Sequence, residues 1–147
     1  WHRLHLILWL EKEQRAIKLN ISGIQEISLT DISYGREIEQ YFEDFLARNK
    51  TSVVLQLSPK NNAVDRCFAI FSSYDKQSVY DEDNDIYTLT ITYYQFDREE
   101  IINYILSLGA AVTVMAPQDM RQSVIDRLKA QWQRLSSTPD KPSPEAD

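Results

Sequence analysis

IYTLTITYYQFDREEIINYILSLGAAVTVMAPQDMRQSVIDRL, residues 86–128, reads as strand, helix, strand, helix. Residues 86–94 alternate: Tyr87, Leu89, Ile91 and Tyr93 fall on one face, Thr88, Thr90 and Thr92 on the other. That is the pattern of a half-buried strand with a polar outer face. Asp97 follows as an N-cap, with Glu100 three residues on to close a capping box, and Phe96 and Ile101 are spaced as a hydrophobic staple. Ile101, Ile105 and Leu108, with Ile102 beside them, form an apolar stripe at helical spacing. Gly109 supplies the left-handed position that ends that helix. Residues 111–115 are short and β-branched, which predicts a buried strand. Pro117 opens the last helix from a first helical position, and Met120, Val124, Leu128, Trp132 and Leu135 give it an inner face.

Working outward, residues 52–57 (SVVLQL) predict a strand with Val53, Leu55 and Leu57 inward. Ser58 and Pro59 then start a helix whose apolar side is Val64, Cys67, Phe68 and Phe71. Residues 76–80 predict a polar edge strand, and DEDND at 81–85 a turn into the strand at 86. From residue 52 the order is β-α-β-β-α-β plus a terminal helix, a ferredoxin-like split pattern with two helices on one sheet face. Val54, Gln56, Thr88, Thr90, Thr92 and Thr113 make up the other face, either solvated or a docking surface.

Toward the N-terminus, residues 4–10 (LHLILWL) and 15–19 predict a hairpin turning at EKEQ, and residues 24–30 a third strand. Three short strands do not make a stable sheet. With Trp1 already inside a strand-like run, this predicts a longer protein with further strands upstream. Residues 36–49 predict an amphipathic connecting helix, with Ile38, Tyr41, Phe42 and Phe45 at i, i+3, i+4 and i+7. SSTPDKPSPEAD, residues 136–147, has three prolines and no large apolar anchor, and predicts a disordered tail.

Net charge is −6, which argues against this segment as the main reader of duplex DNA. Three glycines leave no glycine-rich phosphate cradle. No run of 18 apolar residues predicts a membrane span. The single cysteine, Cys67, excludes an internal disulfide and a multi-cysteine metal site, and suits a reducing cytoplasm. His2 and His5 are the only histidines, and their spacing puts them on opposite faces of a strand, so they cannot share a metal. DEDND lacks both the glycine and the glutamate of a calcium loop, since Ile86 and Thr92 stand in those places. Serines lack a partner base in a recognisable frame, and capping accounts for Asp97, Glu99 and Glu100, so no catalytic residue is assigned. No metal or cofactor is expected. Arg3, Lys12, Arg15 and Lys18 make the first hairpin the positive corner. Aromatics beside such a corner suit stacking on single-stranded nucleic acid, while a solvated charged hairpin is the plainer alternative.

With these residues in view, the chain resembles the C-terminal part of a WYL-domain transcriptional regulator. YILSLGAAVTVMAPQDMRQSVIDRLKAQW, residues 104–132, is similar to the closing pattern of the WCX extension: an apolar helix, a Leu-Gly turn, a short strand, then a proline before an "LR"-type helix. Met120-Arg121 takes the "LR" place. VVLQLSP at 53–59 resembles the family's strand ending in "FSP", and residues 4–31 resemble the last strands of the WYL domain. The family's Trp-Tyr-Leu falls on Leu4-His5-Leu6, and its "LDRI" on Ile21-Ser22-Gly23-Ile24, so the usual aspartate and arginine are Ser22 and Gly23.

The resemblance implies an α+β chain: partial Sm-like β-barrel strands of a WYL domain at 1–34, a linking helix at 35–50, a ferredoxin-like WCX extension at 51–135, and a tail at 136–147. It implies a bacterial, cytoplasmic, non-enzymatic regulator that senses an effector and dimerises, acting allosterically on an upstream helix-turn-helix. A homodimer, a nucleotide or single-stranded nucleic-acid effector, and duplex DNA reached only through a missing N-terminal domain are its implied partners. His5, Arg15 and Lys18 are the ligand-binding candidates, and Arg121 is an interface or effector contact. Two alternatives stay open: a pure dimerisation module without a ligand site, and a small ferredoxin-like enzyme.

Overall fold

The computed structural model describes residues 5–13, 15–29, 31 and 35–137. Expectations that fall on Trp1, His2, Arg3, Leu4, Gln14, Thr30, residues 32–34 or residues 138–147 lie outside the described residues. Among those described, six strands in two sheets and four helices make an α+β chain, with no closed barrel. The chain divides into two compact units, Trp1–Thr51 with Tyr94–Phe96 and Ser52–Tyr93 with Asp97–Asp147.

In the first unit, β1 (His5–Leu10) and β2 (Arg15–Asn20) form an antiparallel ribbon joined by a 3₁₀ turn at Glu11–Glu13. Asn20 ends β2 by accepting the Ser22 backbone N–H on its side-chain oxygen at 3.1 Å. The expected third strand does not form. Residues 24–29 have no regular structure, and Ile27 and Leu29 stand exposed. Their alternation is imperfect, and a strand exists only where a neighbouring edge takes its backbone groups. The helix α1 (Arg36–Asn49) has the expected bounds, and its Phe45 ring meets Trp9 edge-on at 5.7 Å. Tyr41, expected on its apolar face, is exposed.

The second unit runs β3 (Lys50–Leu57), α2 (Ala63–Ile70), β4 (Asp75–Asp81), β5 (Ile86–Tyr94), α3 (Arg98–Leu108), β6 (Val112–Ala116) and α4 (Gln118–Ser137). Its sheet order is β4-β5-β3-β6. Numbered within the unit, the strands lie 2-3-1-4, the order of a split ferredoxin-like β-α-β-β-α-β. Alternation works as read. Val53, Leu55 and Leu57 of β3 and Leu89, Ile91 and Tyr93 of β5 are buried, and they meet Cys67, Phe71, Ile101, Ile102, Ile105 and Leu108 in one core. The threonines opposite them are half-buried, and Thr113 is exposed.

Local corrections share a physical cause: backbone geometry overrules side-chain type. Asp97 takes the N-cap place of α3, but its backbone is at φ −93°, ψ 0°, and it makes no side-chain cap hydrogen bond. A 3₁₀ turn at Gln95–Asp97 sets that geometry, whereas a capping side chain needs an extended N-cap. Glu100 accepts instead from the Tyr104 hydroxyl at 2.7 Å. The helix expected from Ser58-Pro59 begins later. Lys60–Asn62 form a 3₁₀ turn in which Asn61 and Asn62 are left-handed, and α2 follows. Asparagine is among the few side chains that accept that region.

Gly109 has φ +70° and ψ −149°, so it reverses the chain between α3 and β6 in a region essentially reserved for glycine. The strand expected to be buried at 111–115 is only half so. Val114 is buried and Met115 exposed, because β6 is an edge strand. The inner face of α4 is likewise partial. Met120 and Val124 are buried, while Leu128, Trp132 and Leu135 stand in solvent. The helix also takes in Ser136 and Ser137, which the sequence assigned to the tail.

Candidate functional site

The ribbon register sorts the hairpin candidates. His5 stands opposite Asn20, Ile7 opposite Lys18, and Leu10 opposite Arg15. Directly opposed residues share a face, and faces alternate along a strand. Positions 5 and 18 therefore lie on one face with Ile7 and Trp9, and Arg15 lies on the other with Leu8 and Ile17. Arg15 is exposed and paired with the Glu13 carboxylate across the 3₁₀ turn. Lys18 is half-buried and engaged. The structure thus brings together the positions of His5 and Lys18 but not Arg15.

In the second unit, Arg121 lies in the first turn of α4. Its backbone N–H donates to the Pro117 carbonyl at 3.1 Å, closing that turn. Its side chain is exposed, and its guanidinium makes no ion pair or hydrogen bond among the described residues. Met120 beside it is fully buried, so Arg121 is an outward cation on a firmly seated turn.

Two arginines the sequence did not single out tie α3 to α4. Arg98 donates to the Asp119 carbonyl at 3.3 Å, the Asp119 carboxylate at 3.2 Å and Ser123 Oγ at 2.9 Å. Arg127 donates to Asn103 Oδ1 at 2.9 Å and to the Glu99 carboxylate. Both pairs span more than 20 residues of chain, so no local spacing rule reveals them. A shallow groove lined by Arg127, Ala130, Gln131 and Arg134 runs along α4. Its guanidiniums are already engaged, so it offers no free cation to an anionic ligand.

Burial raises the pKa of Cys67 and of half-buried Tyr74 in the second unit. Burial pushes the Cys67 thiol from 9.0 up to about 11, against the opposing pull of the Lys76 ammonium. Lys76 itself donates to the Phe71 carbonyl at 3.1 Å just past the end of α2. Burial, then the Glu100 and Asp97 carboxylates, push the Tyr74 phenol upward. Neither group ionises near neutral pH. The raised thiol also makes a prediction. In the unfolded chain Cys67 ionises near its ordinary value, so its contribution to stability is complete below about pH 9 and is lost as pH rises toward 11. Urea midpoints measured across pH 8–11 should therefore fall more steeply for the wild type than for Cys67→Ala. Parallel profiles would show that the thiol is not linked to folding.

DEDND forms the expected turn: the Asp81 carboxylate accepts the backbone N–H of Asp83 at 3.1 Å and of Asn84 at 3.2 Å, and Asp85 is left-handed. These bonds hold the Asp81 carboxyl below its ordinary value, the Asn84 side chain contributing most.

Comparison with known proteins settles the second unit. The sequence model of the WCX domain matches residues 49–131, from the start of β3 to well inside α4. The chain belongs to the WCX domain family. No curated protein matches it. Among solved structures it is similar to proteasome accessory factor B/C (PafBC) of Arthrobacter aurescens, at 16% sequence identity and a TM-score of 0.46. That similarity covers 97% of this chain and 22% of that one, so the chain spans under a quarter of that protein's length. The WCX domain accordingly holds the four-stranded sheet, α2, α3, Arg121 and both arginine ties. The hairpin with His5, Arg15 and Lys18 precedes it. No helix among the described residues is long and apolar enough to cross a membrane.

Proposed function

We propose that this chain is the effector-sensing and dimerisation part of a bacterial, cytoplasmic WYL-type transcriptional regulator, without catalysis of its own. Membership of the WCX domain family, over residues 49–131, is the observation that carries this reading. In it, residues 1–34 are the closing strands of a WYL domain, 35–50 a linking helix, 51–135 the extension and 136–147 a tail. His5 and Lys18, on one ribbon face, contact a nucleotide or single-stranded nucleic-acid effector, Arg15 on the other face stays outside that contact, and Arg121 lies at an interface or effector contact. Binding would favour one placement of the two halves of a homodimer, and so of upstream DNA-reading heads, by its differential affinity for the two states.

The test is anisotropy of a fluorescent single-stranded oligonucleotide at low salt. Lys18→Ala should weaken binding roughly tenfold, the worth of one charge-assisted contact. Arg121→Ala should alter either dimerisation or the response to oligonucleotide, and loses its assigned role if it alters neither. One observation favours a second reading, a dimerisation module with no ligand site: Ser22 and Gly23 replace the family's charged pair, and Arg15 is spent on Glu13. That reading expects a dimer and no anisotropy change.

A further inference from the structure

The outer half of α4 carries an apolar stripe that stands exposed among the described residues. Leu128, Trp132 and Leu135 are 51%, 71% and 66% exposed, on the helix whose Met120 and Val124 are buried. With half-buried Ile125 they step by three, four and three residues, the a-d-a-d spacing of a two-helix seam. A bare tryptophan is a residue type enriched at binding hot spots, and scattered exposure does not produce heptad order. Trp132 and Leu135 also lie beyond the span that matches the WCX domain. The sequence of residues 138–147, TPDKPSPEAD, holds no large apolar side chain at heptad spacing to complement it.

We infer that α4 pairs antiparallel with α4 of a second copy of this chain through Ile125, Leu128, Trp132 and Leu135. The inference rests on the dimerisation reading above and names its surface. The stripe is its own complement when reversed. Ile125 meets the partner's Leu135 and Leu128 the partner's Trp132, each pair centred on position 130. Every layer then sets one residue against a different one, and large Trp132 against smaller Leu128. A parallel pair would instead stack Trp132 on its own copy at an a position, where β-branched residues suit two strands. The seam excludes duplex DNA as occupant, since its core is apolar and the flanking Arg127 and Arg134 are engaged. A 125–135 seam is only ~16 Å long and falls below a standard interface of about 800 Å² per partner, so the dimer is concentration-dependent.

Sedimentation equilibrium of the whole chain, wild type against Trp132→Asp, tests the surface. Because Trp132 is exposed, the variant should keep the wild-type circular dichroism, and the wild-type melting midpoint at concentrations where both are monomeric, while its dimer dissociation constant rises at least tenfold. A variant that dimerises as tightly as the wild type overturns α4 pairing but leaves dimerisation through another face standing. A wild type monomeric at all concentrations overturns both. Oxidative crosslinking then fixes the direction, with fully buried Cys67 leaving an introduced thiol as the accessible one. Gln131→Cys lies next to the two-fold axis and should form a disulfide. Leu135→Cys, set ~15 Å from its own copy in the antiparallel pair, should not. The opposite pattern overturns the antiparallel arrangement.

Discussion

Phe71→Ala is expected to lower the stability of the WCX domain by about 3–5 kcal/mol, since Phe71 is the largest fully buried side chain among the described residues. Phe71 is fully buried where α2 ends, and its ring meets Tyr74 at 6.0 Å and Tyr104 at 5.7 Å, both edge-on. Removing it loses the transfer energy of the ring and two aromatic contacts, and leaves a cavity between α2, α3 and the sheet. Those walls cannot collapse, because the Lys76 ammonium fixes the Phe71 carbonyl and the Tyr74 backbone N–H donates to that same carbonyl. Domains of this kind are stable by only about 5–15 kcal/mol, so the variant should sit near its unfolding threshold. Urea denaturation followed by far-ultraviolet circular dichroism is the check. A loss under about 1 kcal/mol would mean that the ring is not packed as described.

Met120→Ala should cost about 2–5 kcal/mol, and should act where function is proposed. Met120 is fully buried in the first turn of α4 and joins the sheet core, with Val124 a turn later. Past Val124 the helix has no large buried side chain, and Arg98 and Arg127 are its other anchors. Exposed charged ties of this sort contribute little individually, so the apolar pair carries the docking. Truncation should therefore free α4 before the sheet unfolds. Amide hydrogen exchange should speed up across residues 118–137 more than across β3 and β5. Uniform acceleration over all of these elements would show instead that α4 and the sheet open as one unit.

Much of this chain was legible without a structure. Residues 86–94 and 36–49 gave the bounds of β5 and α1 to the residue, because period and flanking turns agreed. The β-α-β-β-α-β order followed from alternation at 52–57 and 86–94 with helical stripes between, and the sheet order 2-3-1-4 fits it. The WCX resemblance at 104–132 was carried by Gly109, Pro117 and the helix after them, and the family match bears it out. Cys67 was read on the apolar side of its helix, and its full burial agrees.

What failed depended on partners or on backbone geometry. Residues 24–29 alternate weakly and found no neighbouring edge, so a strand-like pattern stayed unpaired. Asp97 and Ser58 have good capping side chains, but a 3₁₀ turn and two left-handed asparagines set the helix starts instead. Arg15 shares its charge with Lys18 but not its face, which follows from a register that the hairpin turn determines.

The sequence by itself determined the order of elements in the second unit, the family and the buried faces of β3 and β5, because these rest on local period and turn chemistry. Only the tertiary structure decided where α4 leaves its sheet, and therefore that Leu128, Trp132 and Leu135 continue an inner stripe into solvent. It also decided which arginines are spent, Arg98 and Arg127 on α3–α4 ties, and which faces outward, Arg121. An apolar stripe reads the same whether or not a neighbour covers it, and an arginine the same whether or not a carboxylate 20 residues away folds back to meet it. Burial and pairing belong to the packed chain, not to the period that predicts its elements.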